Sequence, residues 1–172
     1  MQPLVLSSAS DKAIGTKVIV GTLIAFLFIG AQGSHGDTLD DLLNEAADRH
    51  GLERTLVRAI ASVESNRGQY KFNESTIDYG VMQINYRTAN HLGLNTTRLY
   101  QDDAYNIEVA TSLLQALKRH FKHDWVCRYN VGYGKLVSKK AIRCQKYLDK
   151  LQKAGYVASS VKKDLSLVAG DR

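Results

Sequence analysis

The sequence predicts a mainly α-helical domain with at most a small β hairpin, and three observations carry the prediction. Four stretches repeat apolar residues at spacings of three and four, which gathers them on one helix face. Between the second and third stretch the period is lost and the turn-forming residues Asn66, Gly68, Asn73 and Ser75 accumulate. The composition, 44% hydrophobic and 23% charged with 1 Pro in 172 residues, excludes a disordered or collagenous chain. The length suits one domain with a substantial core.

In chain order, Lys12 and Lys17 precede residues 18–31, "VIVGTLIAFLFIGA", an apolar run shorter than the roughly 20 residues of a membrane-spanning helix. Ala31 and Gly33 are small residues placed for a cut before Ser34. Residues 1–33 are therefore expected to be a signal peptide or, if uncut, an anchor in the inner membrane; either makes the protein exported and periplasmic. Thr38 is the expected N-cap of a first helix with Leu39, Leu42, Leu43, Ala46 and Ala47 on one face and Gly51 at its end. Leu56, Val57, Ile60 and Val63 form the stripe of a second helix over residues 52–65. Residues 67–76 read as loops or a short hairpin, "VMQIN" as a brief strand or the start of a helix, and residues 86–94 as one or two helical turns. The clearest helix covers residues 103–121, with Ile107, Ala110, Leu114, Leu117 and Phe121 in register. After Trp125, "CRYNVGYGK" reads as a polar, aromatic turn. A last helix over residues 138–154 holds Ile142, Tyr147, Leu148 and Leu151. Residues 34–154 then form the domain and 155–172 a loosely held tail.

Export implies an oxidising compartment, so Cys127 and Cys144, the 2 cysteines of the chain, are expected to pair, the alternative being two buried thiols. Charge is uneven: residues 37–80 carry 5 basic and 9 acidic side chains, whereas residues 118–172 carry 14 basic and 4 acidic ones. A basic half suits an anionic partner or a plain solvated face. No nucleic-acid recognition module accompanies it, which leaves nucleic acid out of the expected partners. The cysteines and the 5 scattered histidines offer no metal-ligand spacing, so no metal or other cofactor is expected.

The chemistry concentrates in "VESNRGQYKFNESTIDYGVMQIN", residues 63–85. Glu64 follows Val57 and Ile60 by seven and four positions, so a helix carries its carboxyl along an apolar face. Burial there disfavours the charged form and raises the pKa, as a general acid near neutral pH requires; a Glu turned to solvent is the plain alternative. Asp78 is a second carboxyl, fourteen positions on. Gln83 and Asn85, two apart, would point both amides to one side of an extended segment, where they could bond sugar hydroxyl and N-acetyl groups. Gly80 would allow close approach of a ligand or of another backbone. In "RYNVGYG", Tyr129, Asn130 and Tyr133 offer rings and an amide to a carbohydrate.

Taken in order, "VESN" after an apolar helix, "YGVMQIN", "NIEVATSLLQAL" and "RYNVG" resemble the four successive motifs of the lysozyme-like lytic transglycosylases, over about residues 39–151. The resemblance implies a lysozyme-like fold with a cleft and a reaction on peptidoglycan strands. Glu64 would protonate the glycosidic oxygen between N-acetylmuramic acid and N-acetylglucosamine, then take a proton from the muramyl C6 hydroxyl as a 1,6-anhydro ring closes. It also implies that Ser65, Tyr79, Gly80, Val81, Met82, Gln83 and Asn85 belong to the sugar-binding wall, that Tyr129, Asn130 and Tyr147 hold substrate or acid, and that Asn106 places the long helix. The short exported form, expected to be a monomer, is similar to specialised members that accompany type III or type IV secretion and conjugation machinery, which would supply its partners.

Asp78 departs from the one-acid pattern. "STIDYGVMQIN" is similar, with one residue inserted, to the segment of c-type lysozymes that carries their second carboxylate, so Asp78 is expected to be an accessory to Glu64. Two other readings stay open: a muramidase that hydrolyses the same bond using Glu64 and Asp78, and a catalytically idle glycan-binding subunit of a secretion apparatus.

Overall fold

The computed structural model describes residues 38–121, 123–133 and 135–156; the expected leader and most of the expected tail lie outside the described residues. Seven helices and a three-stranded sheet are described: α1 (Leu39–Arg49), α2 (Arg54–Ser65), β1 (Phe72–Asn73), β2 (Asp78–Tyr79), β3 (Ile84–Asn85), α3 (Tyr86–His91), α4 (Thr96–Gln101), α5 (Asp103–His120), α6 (Trp125–Val131) and α7 (Ser138–Lys153). The mainly α prediction is met; where at most a small hairpin was expected, three short strands form a sheet.

Local chemistry sets the boundaries. Thr38 Oγ1 accepts from the Asp41 amide at 3.3 Å while the Asp41 carboxylate accepts from the Thr38 amide at 3.1 Å, a reciprocal cap that starts α1. The α2 helix stops at Asn66, whose backbone is left-handed at φ 50°. The strands pair antiparallel in the order β1-β2-β3, with Phe72 opposite Tyr79 and Asp78 opposite Asn85. Asn85 then caps α3 by accepting from the Arg87 amide at 3.0 Å.

Helix α2 lies at the centre of the core. Leu56, Val57 and Ile60 are fully buried with Leu43 and Ala46 of α1, Ala110 and Leu114 of α5 and Leu151 of α7. Each of the Leu, Ile and Val side chains among them contributes about 1.5–3 kcal/mol by leaving water. The sheet is fastened to this bundle by Asn106 of α5, fully buried. Its Oδ1 accepts from the Met82 amide at 2.8 Å, and its Nδ2 donates to the carbonyls of Tyr79 at 2.9 Å and Leu99 at 3.0 Å. Gly80 lies against the same amide: a Cβ there would sit 2.2 Å from Asn106 Nδ2 and 2.3 Å from Leu99 O. The close approach that Gly80 permits is therefore to protein, not to a ligand.

Four expectations are corrected. The segment expected as a turn after Trp125 is α6, stabilised by burial of Val126, Cys127 and Val131 and by Arg128 Nε donating to Asp124 at 2.8 Å. Helix α4 was not expected; Asn95 caps it through the Arg98 amide at 3.0 Å. Ile142 is exposed because the buried positions of α7 are Cys144, Tyr147 and Leu151. Residues 155 and 156, expected within the loosely held tail, are packed: Gly155 takes φ 96°, which lets the Tyr156 amide donate to Leu151 O at 3.0 Å and its ring enter the core, 2% exposed.

Candidate active site

Glu64 occupies the last turn of α2, where the helix leaves the core. Its Oε1 is buried and has no hydrogen-bond partner among the described residues. Burial pushes its pKa up from 4.5 to about 7; the Tyr147 hydroxyl pulls it down, the Asp78 charge pushes it up and the Lys150 charge pulls it down. The buried Tyr147 hydroxyl closes no hydrogen bond of ordinary geometry, yet it lies close enough to the carboxyl to favour its ionised form. Near neutral pH the carboxyl is thus divided between its protonated and ionised forms, ready to give or take a proton.

Two tyrosines from different helices face this carboxyl. Tyr129 of α6 donates to Met82 O at 2.8 Å, and burial pushes its phenol well above the usual range, with the Glu64 and Asp78 charges adding to the effect. Burial does the same for Tyr147 of α7. Both remain neutral donors. The helices that carry them are joined by a disulfide between Cys127 and Cys144, with the two Cα atoms 5.0 Å apart, as expected of the cysteines.

Asp78, half-buried on β2, is held on both oxygens. Its Oδ1 accepts from Asn85 Nδ2 at 2.7 Å and its Oδ2 accepts from the Thr76 hydroxyl. The preceding residue, Ile77, is forced to φ 56°, a conformation β-branched residues rarely adopt. The turn therefore fixes the carboxylate in place while its charge acts on Glu64 and Tyr129.

The structure places the expected sugar-contact residues as follows. Ser65, 1% exposed, donates to Val81 O at 2.7 Å and accepts from the Gly68 amide at 2.8 Å; it ties the end of α2 to the sheet. Val81 and Met82 are fully buried, so their side chains support the wall from behind. Gln83 is not on a strand: at φ 50° it turns back, and its Nε2 donates to Gly80 O at 2.8 Å and Tyr70 O at 3.3 Å. Asn85 is occupied by Asp78 and by the α3 cap. Tyr79 is half-buried with its ring 5.4 Å from that of Phe72, and Asn130 is exposed on α6. A groove lined by Gln83, Asn85, Thr88, Leu113, Tyr129 and Tyr133 continues along this side of the molecule, but Glu64 and Asp78 do not line it. Sequence reasoning missed Thr76 and Lys150; the spacing of Lys150, three residues after Tyr147, was the available signal. Among the described residues no cluster of His, Cys, Asp or Glu could hold a metal.

The sequence pattern of the transglycosylase SLT domain matches residues 41–151. The chain belongs to the SLT transglycosylase family. It is a lytic transglycosylase, a lyase acting on peptidoglycan, with the lysozyme-like fold of that family. A peptidoglycan-binding-like protein of Escherichia coli O157:H7 is 31% identical over 124 residues, which cover 60% of this chain and 71% of that protein. Protein IpgF of Shigella sonnei is 27% identical over 100 residues, covering 54% of this chain and 66% of IpgF. No solved structure matches the chain. In this transglycosylase the first, second and fourth motifs meet around Glu64, while the third, through Asn106, anchors the sheet to the bundle.

Proposed function

We propose that this transglycosylase cleaves the β-1,4 bond between N-acetylmuramic acid and N-acetylglucosamine, with Glu64 as the proton donor and acceptor. The observation that carries the proposal is the Glu64 carboxyl itself, buried, unpartnered at Oε1 and lifted to about 7. Protonated Glu64 gives its proton to the glycosidic oxygen as the bond from muramyl C1 breaks. The Asp78 carboxylate, held by Thr76 and Asn85, stabilises the positive charge that develops on the sugar ring. The muramyl C6 hydroxyl oxygen then bonds to C1, and its proton passes to the Glu64 carboxylate. No water is consumed, and the product ends in a 1,6-anhydro ring.

A hydrolytic outcome is the second reading, favoured by the fixed carboxylate at Asp78, which most one-acid sites would not need. Mass spectrometry of digested peptidoglycan separates the two: 1,6-anhydro ends support the lyase route, and reducing ends overturn it. We further propose that the protein is exported to the periplasm, where its disulfide is stable, and opens the wall locally for a secretion or conjugation apparatus. Impaired assembly of that apparatus in a Glu64→Gln strain, with general wall growth intact, is the expected result.

A further inference from the structure

Helix α7 carries Lys139, Arg143, Lys146, Lys150 and Lys153, at successive spacings of four, three, four and three. At about 100° per residue these positions fall in one narrow stripe, running roughly 20 Å along the helix. All five side chains are exposed, and among the described residues none forms an ion pair, whereas Arg49, Arg54, Arg67, Lys71 and Arg98 all do. The one acid on the helix, Asp149, lies off the stripe and accepts from Gln145 at 2.8 Å. Like charges one turn apart destabilise a helix, so the row is retained against a local penalty that an anionic partner would relieve.

The stripe borders the site. Tyr147 lies on the helix between the stripe and the buried face formed with Cys144 and Leu151, and the Lys150 charge acts on Glu64. An anionic polymer gripped there would lie on the helix that brings Tyr147 to Glu64. Insertion into a lipid surface would need an outward apolar face, but the apolar face of α7 is turned into the core, leaving Ile142 as its exposed aliphatic residue. We propose that the α7 stripe docks the carboxylate-bearing peptide stems of the peptidoglycan strand under cleavage, so that the enzyme grips stem and sugar together. The proposal rests on the reading of the cleft as a peptidoglycan-cleaving site.

The test uses sacculi whose amines have been acetylated, in two forms: carboxylates free, or converted to methylamides. Full-length Glu64→Gln protein, which leaves the strands intact, is expected to bind the free-carboxylate form about tenfold more tightly, as several screened contacts together would give. That preference should disappear at high salt. Replacing Lys139, Arg143, Lys146 and Lys153 together by Gln should abolish the preference, and replacing the three lysines among them by Arg should keep it. Equal binding of both forms by the parent, a preference that survives the four Gln replacements, or loss of preference in the Arg variant would each overturn the proposal. Binding to phosphatidylglycerol vesicles that depends on the stripe, without any sacculus preference, would overturn it in favour of a membrane face. Digestion by the wild type keeps the two readings apart: anhydro ends from both forms at equal rates sink the stem docking alone, while none from either sinks the functional reading.

Discussion

On the helical side of the site, Glu64 ends α2 beside two neutral tyrosines, with Oε1 buried and bonded to nothing. On the sheet side, Asp78 sits in a tight turn, half-buried, each oxygen already accepting from a neighbour. The first environment leaves a carboxyl free to exchange a proton; the second holds its carboxyl still through two hydrogen bonds. Two acids of the same chemistry therefore differ in role because one wall is dry and unbonded and the other is polar and bonded.

The sharpest break of this contrast is Glu64→Gln. It should lower release of anhydro-muropeptides about a hundredfold to ten-thousandfold, the range lost with a general acid, measured on purified sacculi. The same change should stabilise the fold in a pH-dependent way. Because the folded pKa of about 7 lies above 4.5, Glu64 contributes its full stability below pH 4.5 and loses it as the pH rises through 7. Gln suffers no such loss. Denaturant unfolding should show wild type and variant nearly equal at pH 4 and the variant ahead at pH 8, by up to roughly 3 kcal/mol.

Loosening only the helical side comes next. Cys127 is two residues before Tyr129 and Cys144 three before Tyr147, so the disulfide clamps the helices that present both hydroxyls. Changing both cysteines to Ser should lower stability by about 3 kcal/mol in denaturant unfolding and reduce cleavage, although the Asp78 turn is untouched. Unchanged activity would mean that packing alone holds the tyrosines.

Asp78→Asn probes the sheet side. Its negative charge holds the Glu64 pKa up, so the alkaline limb of the pH–rate profile should move to lower pH, with a loss of about tenfold or less. Full activity and an unmoved limb would reduce Asp78 to a hairpin residue.

These walls were not equally legible in the sequence. Helices α1, α2, α5 and α7 were readable because each buries one face of several turns, and Glu64 was readable as the polar end of such a face. Helix α6 was not, since its seven residues show little period and its Tyr, Asn and Gly suggest a turn. Ser65, Val81, Met82 and Gln83 follow one another in motifs, which fixes their neighbourhood but not their direction. A hydroxyl bonded to a carbonyl sixteen residues away, or a backbone at φ 50°, leaves no trace in residue type.

The smallest expected effect separates the two tyrosines on the helical side. Tyr147 has a buried hydroxyl that closes no bond of ordinary geometry, so Tyr147→Phe should change stability by less than about 1 kcal/mol. Tyr129→Phe breaks a bond to Met82 O and strands a carbonyl, which should lower stability by about 1 kcal/mol. Their effects on the acid should differ as well. The Tyr147 hydroxyl lowers the Glu64 pKa, so its removal should move the alkaline limb to higher pH, opposite to Asp78→Asn. If both changes shifted the limb the same way, the contrast between a bonded and an unbonded wall would not be what sets the acid.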